Sequence, residues 1–396
     1  MKKKIIIITQ YMHTGGVEKS LLTLLDEINY EKYEIDLLLF DHSGILFTNI
    51  PQNVNILPPL FETYSTPLSN AVPKLIKQGS IRLLIGKVLA SGLGKFSRGM
   101  GTGIRWSVYR HTLRNMQKHY DIAISYIDFF CNYYITEKVK ADKKIVFNHM
   151  DYAYAQKDGW PCIKLDRKSF IKSDYIISVS ESARKSLESY FPESKSKMHV
   201  IKNRVSQEII RKMAKSQDVY KEYATGFKIC TISRLVEEKG VWLALESCYM
   251  LVSQGYNVQW ILVGNGPLRS ELEKRAIDLG LEDKFILVGE KSNPYPYIAG
   301  CDVYVQPSKT EAHCIAVEEA IAIRRPIIVT DIPSFNEQIT NDETGIIVPL
   351  SVEGIYEGIK KLYYSKELRQ KLSKRLTLLE DRNKQAIKKF TQLIES

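Results

Sequence analysis

Residues 4–28, KIIIITQYMHTGGVEKSLLTLLDEI, decide how this chain reads. Ile5 to Thr9 form an unbroken β-branched run, the mark of a strand buried on both faces rather than one with alternating exposure. A turn carrying Gly15-Gly16 follows, and Leu21, Leu22, Leu24, Leu25 and Ile28 then recur at helical spacing. Strand, glycine turn and helix make the opening unit of a parallel sheet covered by helices. The same alternation predicts strands at 35–40, 121–126, 144–148, 174–180 and 198–202, with Ser180 capping a helix that starts at Glu181. A polar, weakly patterned stretch, 206–226, reads as a linker. Strands then resume at 227–233, 258–263, 284–288, 302–306, 326–330 and 345–348, with helices near 240–254, 268–279 and 315–323. The fold class is therefore α/β, as two doubly wound, Rossmann-like domains, and 396 residues fit two domains at ~100–200 residues each. No internal repeat of fixed period appears.

Composition narrows the function classes. With 44% hydrophobic and 26% charged residues the chain is an ordinary globular protein. No apolar run approaches the ~18–20 residues of a membrane span, and Thr9-Gln10 end the N-terminal run short of a signal-peptide core. The expected location is the cytoplasm. Six cysteines without a C-x-x-C pair, and no His pair at ligand spacing, predict reduced thiols and no metal site. The net charge of +11 is concentrated, because no acidic residue lies between Glu62 and Asp121. That stretch holds ten cations: Lys74, Lys77, Arg82, Lys87, Lys95, Arg98, Arg105, Arg110, Arg114 and Lys118. The rest of the chain is nearly neutral, with 46 basic and 45 acidic residues, so residues 63–120 read as a basic insert with a local anionic partner.

Candidate chemistry sits at predicted strand ends, where open parallel sheets bind ligands. Arg234 and Lys239 straddle a strand-to-helix turn, five residues apart, and suit a diphosphate as planar fork and point charge. Two surface cations beside Glu237 and Glu238 are the plainer reading of the same residues. Glu311 is expected in a loop and Glu319 inside the next helix, with Glu318 as the solvated neighbour. The N–H groups of 313–316 would then face an anion at the helix N-terminus.

Gly15-Gly16-Val17-Glu18, Ser178-Val-Ser-Glu-Ser-Ala, Ser233-Arg234…Lys239-Gly240, Val263-Gly-Asn-Gly-Pro267 and Glu311…Glu319-Ala320 occur in that order. Together they resemble glycosyltransferase family 4, retaining nucleotide-sugar enzymes of the GT-B fold, over about residues 4–375. The resemblance implies two domains facing across a cleft. An acceptor-binding domain takes residues 1–205, with helix 376–396 packing back on it, and a donor-binding domain takes 206–375. It implies that Arg234 and Lys239 hold the donor diphosphate, Glu311 meets the transferred sugar, Glu319 binds the ribose, and Gly264, Asn265 and Gly266 line the nucleotide with His313, Cys314 and Ile315. Gly15 and Gly16 would approach the donor phosphates, and His149 resembles an active-site histidine, although a lone His at a strand end is equally a structural hydrogen-bonder. Many relatives have Gly and an aromatic after the first Glu, where this chain has Ala312 and His313, and many have a longer N-terminal glycine run. Asn203 matches a hinge-side Asn and reads as structural.

The activity implied is transfer of a sugar, UDP-linked on family prevalence, to a lipid-linked or polysaccharide hydroxyl, with no cofactor and no metal because D-x-D is absent. An epimerase or phosphorylase on the same fold, and a non-catalytic partner subunit, are the alternatives. An oxidoreductase lacks its G-x-G-x-x-G fingerprint, and no nucleic-acid module is recognised. For the basic insert, Trp106, Tyr109, Leu113 and Met116 share one helical face beside Arg110, Arg114 and Lys118, and Ile81, Leu84, Ile85, Val88 and Leu89 share another while Lys87 and Arg98 point away. Both faces are expected to lie on an anionic membrane, with Gly86, Gly92 and Gly94 weakening the first helix.

Overall fold

The computed structural model describes residues 2–93, 98–221, 226–379 and 382–395. Lys95 and Gly94 of the basic stretch lie outside the described residues, as do the Arg98 side chain and part of the 206–226 segment. Two compact units are present: residues 1–203 with 387–396, and residues 204–386.

Unit 1 is a seven-stranded parallel sheet of order β3-β2-β1-β4-β5-β6-β7. Its strands are β1 (Lys3–Thr9), β2 (Tyr33–Leu39), β3 (Asn55–Ile56), β4 (His119–Ser125), β5 (Lys140–Asn148), β6 (Tyr175–Ser178) and β7 (Met198–Val200). Ile5 to Ile8 are fully buried because β1 is central, pairing with β2 on one side and β4 on the other. Helix α1 (Gly16–Glu27) follows β1 and buries Leu21, Leu24 and Leu25. The basic stretch forms three helices between β3 and β4: α2 (Leu68–Lys77), α3 (Ile81–Leu93) and α4 (Arg98–Thr112). The C-terminal helix Arg382–Glu395 belongs to this unit from residue 387 on, and Lys32 and the Tyr33 hydroxyl meet Glu395, each at 3.1 Å.

Unit 2 is a six-stranded parallel sheet of order β10-β9-β8-β11-β12-β13. Its strands are β8 (Phe227–Ile232), β9 (Val258–Val263), β10 (Phe285–Gly289), β11 (Val303–Gln306), β12 (Ile327–Thr330) and β13 (Ile346–Val348). The segment expected to be a linker instead carries the helix Gln207–Ala214, whose first turn is capped by Ser206 Oγ. Ile210 and Ala214 pack with Val205, Tyr295, Ile315 and Ala322, so a short amphipathic helix hid inside a polar stretch.

The membrane-facing expectation for α4 is corrected. Trp106, Tyr109 and Leu113 are buried in the unit 1 core, with the Trp106 and Phe130 rings stacked at 6.1 Å. The neighbouring cations are engaged by the protein: Arg110 with Glu137 at 3.4 Å, Arg114 with the Pro58 carbonyl at 2.6 Å, and Lys118 with Asp36 at 2.8 Å. Helix α3 keeps the expected division except at one residue. Ile81, Ile85, Val88 and Leu89 are exposed and Lys87, 5% exposed, points away from them, whereas Leu84 packs against the unit 1 core. Among the described residues no helix is long and apolar enough to cross a membrane.

Candidate active site

In unit 2 the strand order reverses between β8 and β11, so the loops after these strands diverge and leave a crevice at their carboxyl ends. Gly240 brings the two loops into contact. Its φ is +65°, and a Cβ there would lie 1.8 Å from the Pro307 carbonyl oxygen, so no side chain fits. The contact places Lys239 Nζ 2.7 and 2.8 Å from the two oxygens of Glu311. Ser308 Oγ donates to the same carboxylate at 2.8 Å, Gln306 donates to Ser308 Oγ at 2.9 Å, and Tyr304 Oη donates to Gln306 at 2.5 Å. Glu311 is thus fixed by a directed chain reaching into the sheet. Arg234 is different: its side chain is 69% exposed and it pairs with Glu238 at 3.2 Å. The two cations each have their own carboxylate and do not share one point.

Gly264 and Gly266 buttress the same turn. A Cβ on Gly264, at φ +147°, would sit 1.9 Å from the Ser233 carbonyl, and Leu235 N–H donates to the Asn265 carbonyl at 3.0 Å. Their absent side chains are therefore filled by the turn that carries Arg234. Asn265 closes this loop on itself, accepting the Gly266 N–H at 2.9 Å.

The helix Ile315–Ile323 begins after the Glu311 loop, with Glu319 buried in it. Tyr295 Oη donates to Glu319 at 3.2 Å, and burial together with the Glu319 charge drives the Tyr295 hydroxyl far above its ordinary pKa. Two expectations change here. The Cys314 N–H is already taken by buried Gln338 at 3.0 Å, so it is not an open anion donor. Glu318 is not solvated: it accepts from Gln338 at 2.7 Å and lies 3.3 Å from the ring of buried His313. Tyr295 and Gln338 had no sequence signal beyond their type, since each acts through a partner 24 positions away in the chain.

In unit 1, Gly15 caps α1, and the Glu18 carboxylate folds back to within 2.1 Å of where a Gly15 Cβ would stand. Gly16 is the first helical residue, and its helix begins with an internal carboxylate at its positive end. His149 follows β5. Its N–H lies 3.2 and 3.1 Å from the two Asp128 oxygens, its Nδ1 is 3.3 Å from Asn203, and its ring stacks on Phe147 at 5.5 Å. Burial pushes Asp128 up to about 7, against the pull of the His149 N–H. Asn203 also accepts from Ser20 of α1 at 3.2 Å, so it ties that helix to the histidine. Among the described residues no group of three or more His, Cys, Asp or Glu side chains is placed to hold a metal ion.

Two parallel sheets with these loop sites define the GT-B architecture. Crystal structures of Anabaena HepE with UDP and glucose (TM-score 0.71, 14% identity, 100% of both chains) and of TarM (TM-score 0.71, 15% identity, 100% of this chain and 99% of that one) share it. Residues 212–377 match the family of glycosyl transferases, group 1. Among curated relatives, an α-D-kanosaminyltransferase of Streptomyces kanamyceticus is 30% identical over 145 residues, 36% of this chain and 38% of that protein. CapM of Staphylococcus aureus, a capsular polysaccharide glycosyltransferase, is 29% identical over 36% of this chain and 38% of its own length. A Campylobacter jejuni N-acetylgalactosaminyltransferase, named for a diphospho-undecaprenol-linked acceptor, is 26% identical over 50% of this chain and 53% of its own length. The chain thus spans about half or less of the length of these relatives.

Proposed function

We propose that this protein is a retaining glycosyltransferase that moves a sugar from a UDP-sugar to a hydroxyl of a lipid-linked or polysaccharide acceptor in bacterial surface-polysaccharide synthesis. The observation that carries the reading is the Lys239–Glu311 pair, locked by Gly240 at the carboxyl ends of the two switch-point strands of unit 2. Lys239 and exposed Arg234 supply positive charge for a departing diphosphate, the electrostatic contribution that usually dominates such a step. Glu311, held by Lys239 and Ser308, is positioned to accept hydrogen bonds from sugar hydroxyls. Buried Glu319, anchored by Tyr295, is the group for the ribose. As the diphosphate leaves, the anomeric centre becomes oxocarbenium-like. The acceptor hydroxyl adds on the same face and its proton passes to the leaving phosphate oxygen. Protein cations stand in for a divalent metal in this scheme. The UDP in HepE and the polyprenyl-diphosphate acceptor named for the Campylobacter relative support the choice of donor and acceptor class.

The same reading puts the protein on the inner membrane face. Exposed Ile81, Ile85, Val88 and Leu89 of α3 adjoin Ile76 at the end of α2, and Lys77 and Arg82 are exposed beside them. An apolar row edged by cations suits an anionic bilayer. Calorimetric titration with UDP in excess EDTA tests the core of the proposal. We expect binding by the parent protein and a loss of about ten-fold or more in Arg234→Ala. Binding that vanishes on chelation and returns with Mg²⁺ overturns the metal-free scheme.

A further inference from the structure

Unit 1 contains a second site that the donor chemistry does not use. Its strand order reverses between β1 and β4, and a pocket of about 520 Å³ opens at the carboxyl ends of those two strands. Gln10 and Tyr11, just after β1, and Phe130, just after β4, line it together with Tyr64, Tyr109, Lys87 and Arg105. The pocket therefore borders the loop that leads from β1 to Gly15 and Gly16.

Its walls are aromatic, and among the described residues its only charged lining groups are cations. Tyr109 meets Phe130 edge-on at 5.6 Å, and Tyr64 lies 6.3 Å from Tyr109. Among the described residues Lys87 donates only to main-chain carbonyls, those of Thr63 and of Tyr64, the latter at 3.1 Å, and its ammonium lies 5.4 Å from the centre of the Phe61 ring. Arg105 spends its Nε on the Gly101 carbonyl of its own helix at 3.2 Å, and both terminal nitrogens are left over among the described residues. Among the described residues neither cation has a carboxylate within ion-pairing distance, unlike Lys74, Arg110 and Lys118 of the same stretch. The carboxylate that influences Lys87 is Asp41, and it is occupied by Ser43 and by the Ser65 N–H at 2.6 Å. Burial lowers the Lys87 pKa, so its ammonium is held at a cost that a bound anion would relieve.

Helix α3 joins this pocket to the apolar surface. Lys87 and Ala90 face inward and line the pocket, while Ile81, Ile85, Val88 and Leu89 on the other side of the helix are exposed. Leu68, 37% exposed, stands on the pocket wall at the start of α2. One short helix thus separates a cationic, acid-free cavity from a bare aliphatic row. A neutral saccharide offers nothing that requires two uncompensated cations. An anion attached to a hydrocarbon chain matches both sides.

We propose that this pocket binds the diphosphate of a polyprenyl-diphosphate acceptor through Lys87 and Arg105, with the hydrocarbon lying along the α3 surface. The inference rests on the lipid-linked acceptor reading above and adds the residues that recognise the acceptor's anion. The aromatic wall then receives the first sugar, because pyranose faces stack on such rings, and the loop toward Gly15 and Gly16 carries the growing end away from the diphosphate.

Calorimetry of the full chain with geranyl diphosphate, inorganic pyrophosphate and geraniol tests it, with UDP titrated in parallel to read unit 2. We expect geranyl diphosphate to bind more tightly than pyrophosphate, and geraniol to bind least. Lys87→Gln and Arg105→Gln should each weaken geranyl diphosphate by about ten-fold or more while UDP affinity stays at the parent value. Should buried Lys87→Gln fail to fold, partly buried Arg105→Gln carries the test alone. Unchanged geranyl diphosphate affinity in a folded Arg105→Gln protein overturns the site, and so does pyrophosphate binding as tightly as the lipid diphosphate. If UDP binds normally and geranyl diphosphate does not bind at all, the acceptor site falls and the donor site stands. Loss of UDP binding in the parent protein instead removes the donor reading.

Discussion

Lys239 has few places to go. It is 18% exposed and lies against both oxygens of a carboxylate that is itself 8% exposed. Replacing it with alanine removes a cation from the crevice and leaves Glu311 charged and half-satisfied. We expect Lys239→Ala to lower turnover by about 10²–10³, the usual cost of one charge-stabilising donor, with far-ultraviolet circular dichroism unchanged. Near-normal turnover would remove Lys239 from the reaction. Asp128 allows a test on stability. Burial raises its folded pKa to about 7 from an ordinary 3.8. A carboxyl raised in this way favours the folded state while it is protonated. Its contribution is fully present below about 4 and is lost as the pH rises through about 7. Asp128→Asn stays neutral and keeps an acceptor for the His149 N–H. The melting temperature of Asp128→Asn relative to the parent should therefore climb between pH 5 and pH 8. A difference that stays flat across that range would show that Asp128 is not held protonated.

At the scale of elements, α3 and α4 carry similar amphipathic patterns and have opposite fates. The apolar face of α4 is core: Trp106 is fully buried against Phe130 and Tyr133. That of α3 is bare, with Ile81 64% and Ile85 54% exposed. Trp106→Ala should cost about 3–5 kcal/mol of stability, read in urea, as expected for emptying a large core site. The double change Ile81→Ser and Ile85→Ser should leave stability within about 1 kcal/mol, since more than half of each residue is already exposed. It should also abolish sedimentation with phosphatidylglycerol vesicles at low salt. Retained vesicle binding in that variant would move the membrane contact off α3.

The whole chain builds two sheets that are alike in topology and unequal in embellishment. Unit 1 also takes in the end of the chain. Phe390 and Ile394 are 2% and 1% exposed, and Lys3 reaches the Ile394 carbonyl at 3.4 Å. Each buried apolar side chain of this size contributes about 1.5–3 kcal/mol. Deletion of 387–396 should therefore destabilise unit 1 by several kcal/mol and leave unit 2 intact. Thermal unfolding should then resolve into two transitions, with UDP raising only the upper one. A single transition shifted as a whole would mean that the C-terminal segment supports both units equally.

The α/β class was legible in the sequence, because a strand buried on both faces must be an unbroken apolar run and a helix covering it must repeat every three to four residues. Those are local properties, and they placed Ile5 to Ile8, the helix at 315–323 and the Glu311 loop. Position at predicted strand ends also marked Lys239, Glu311 and His149, and the family resemblance implied their roles. Contact decided the rest. Lys239 and Glu311 are 72 positions apart, and they meet because Gly240 has no side chain to hold off Pro307. Cys314 lost its free N–H to a glutamine 24 positions away, and Glu318 its solvent to the same side chain. The helix at 207–214 looked like linker because its few apolar residues become a face only when a second helix covers them. The ten cations between Glu62 and Asp121 formed one basic block in the sequence. In the fold most of those described meet carbonyls or carboxylates of other segments, and Lys87 and Arg105 line a pocket without a carboxylate. An amphipathic pattern states that a helix has an apolar face, and only the neighbours available in three dimensions determine whether that face is buried.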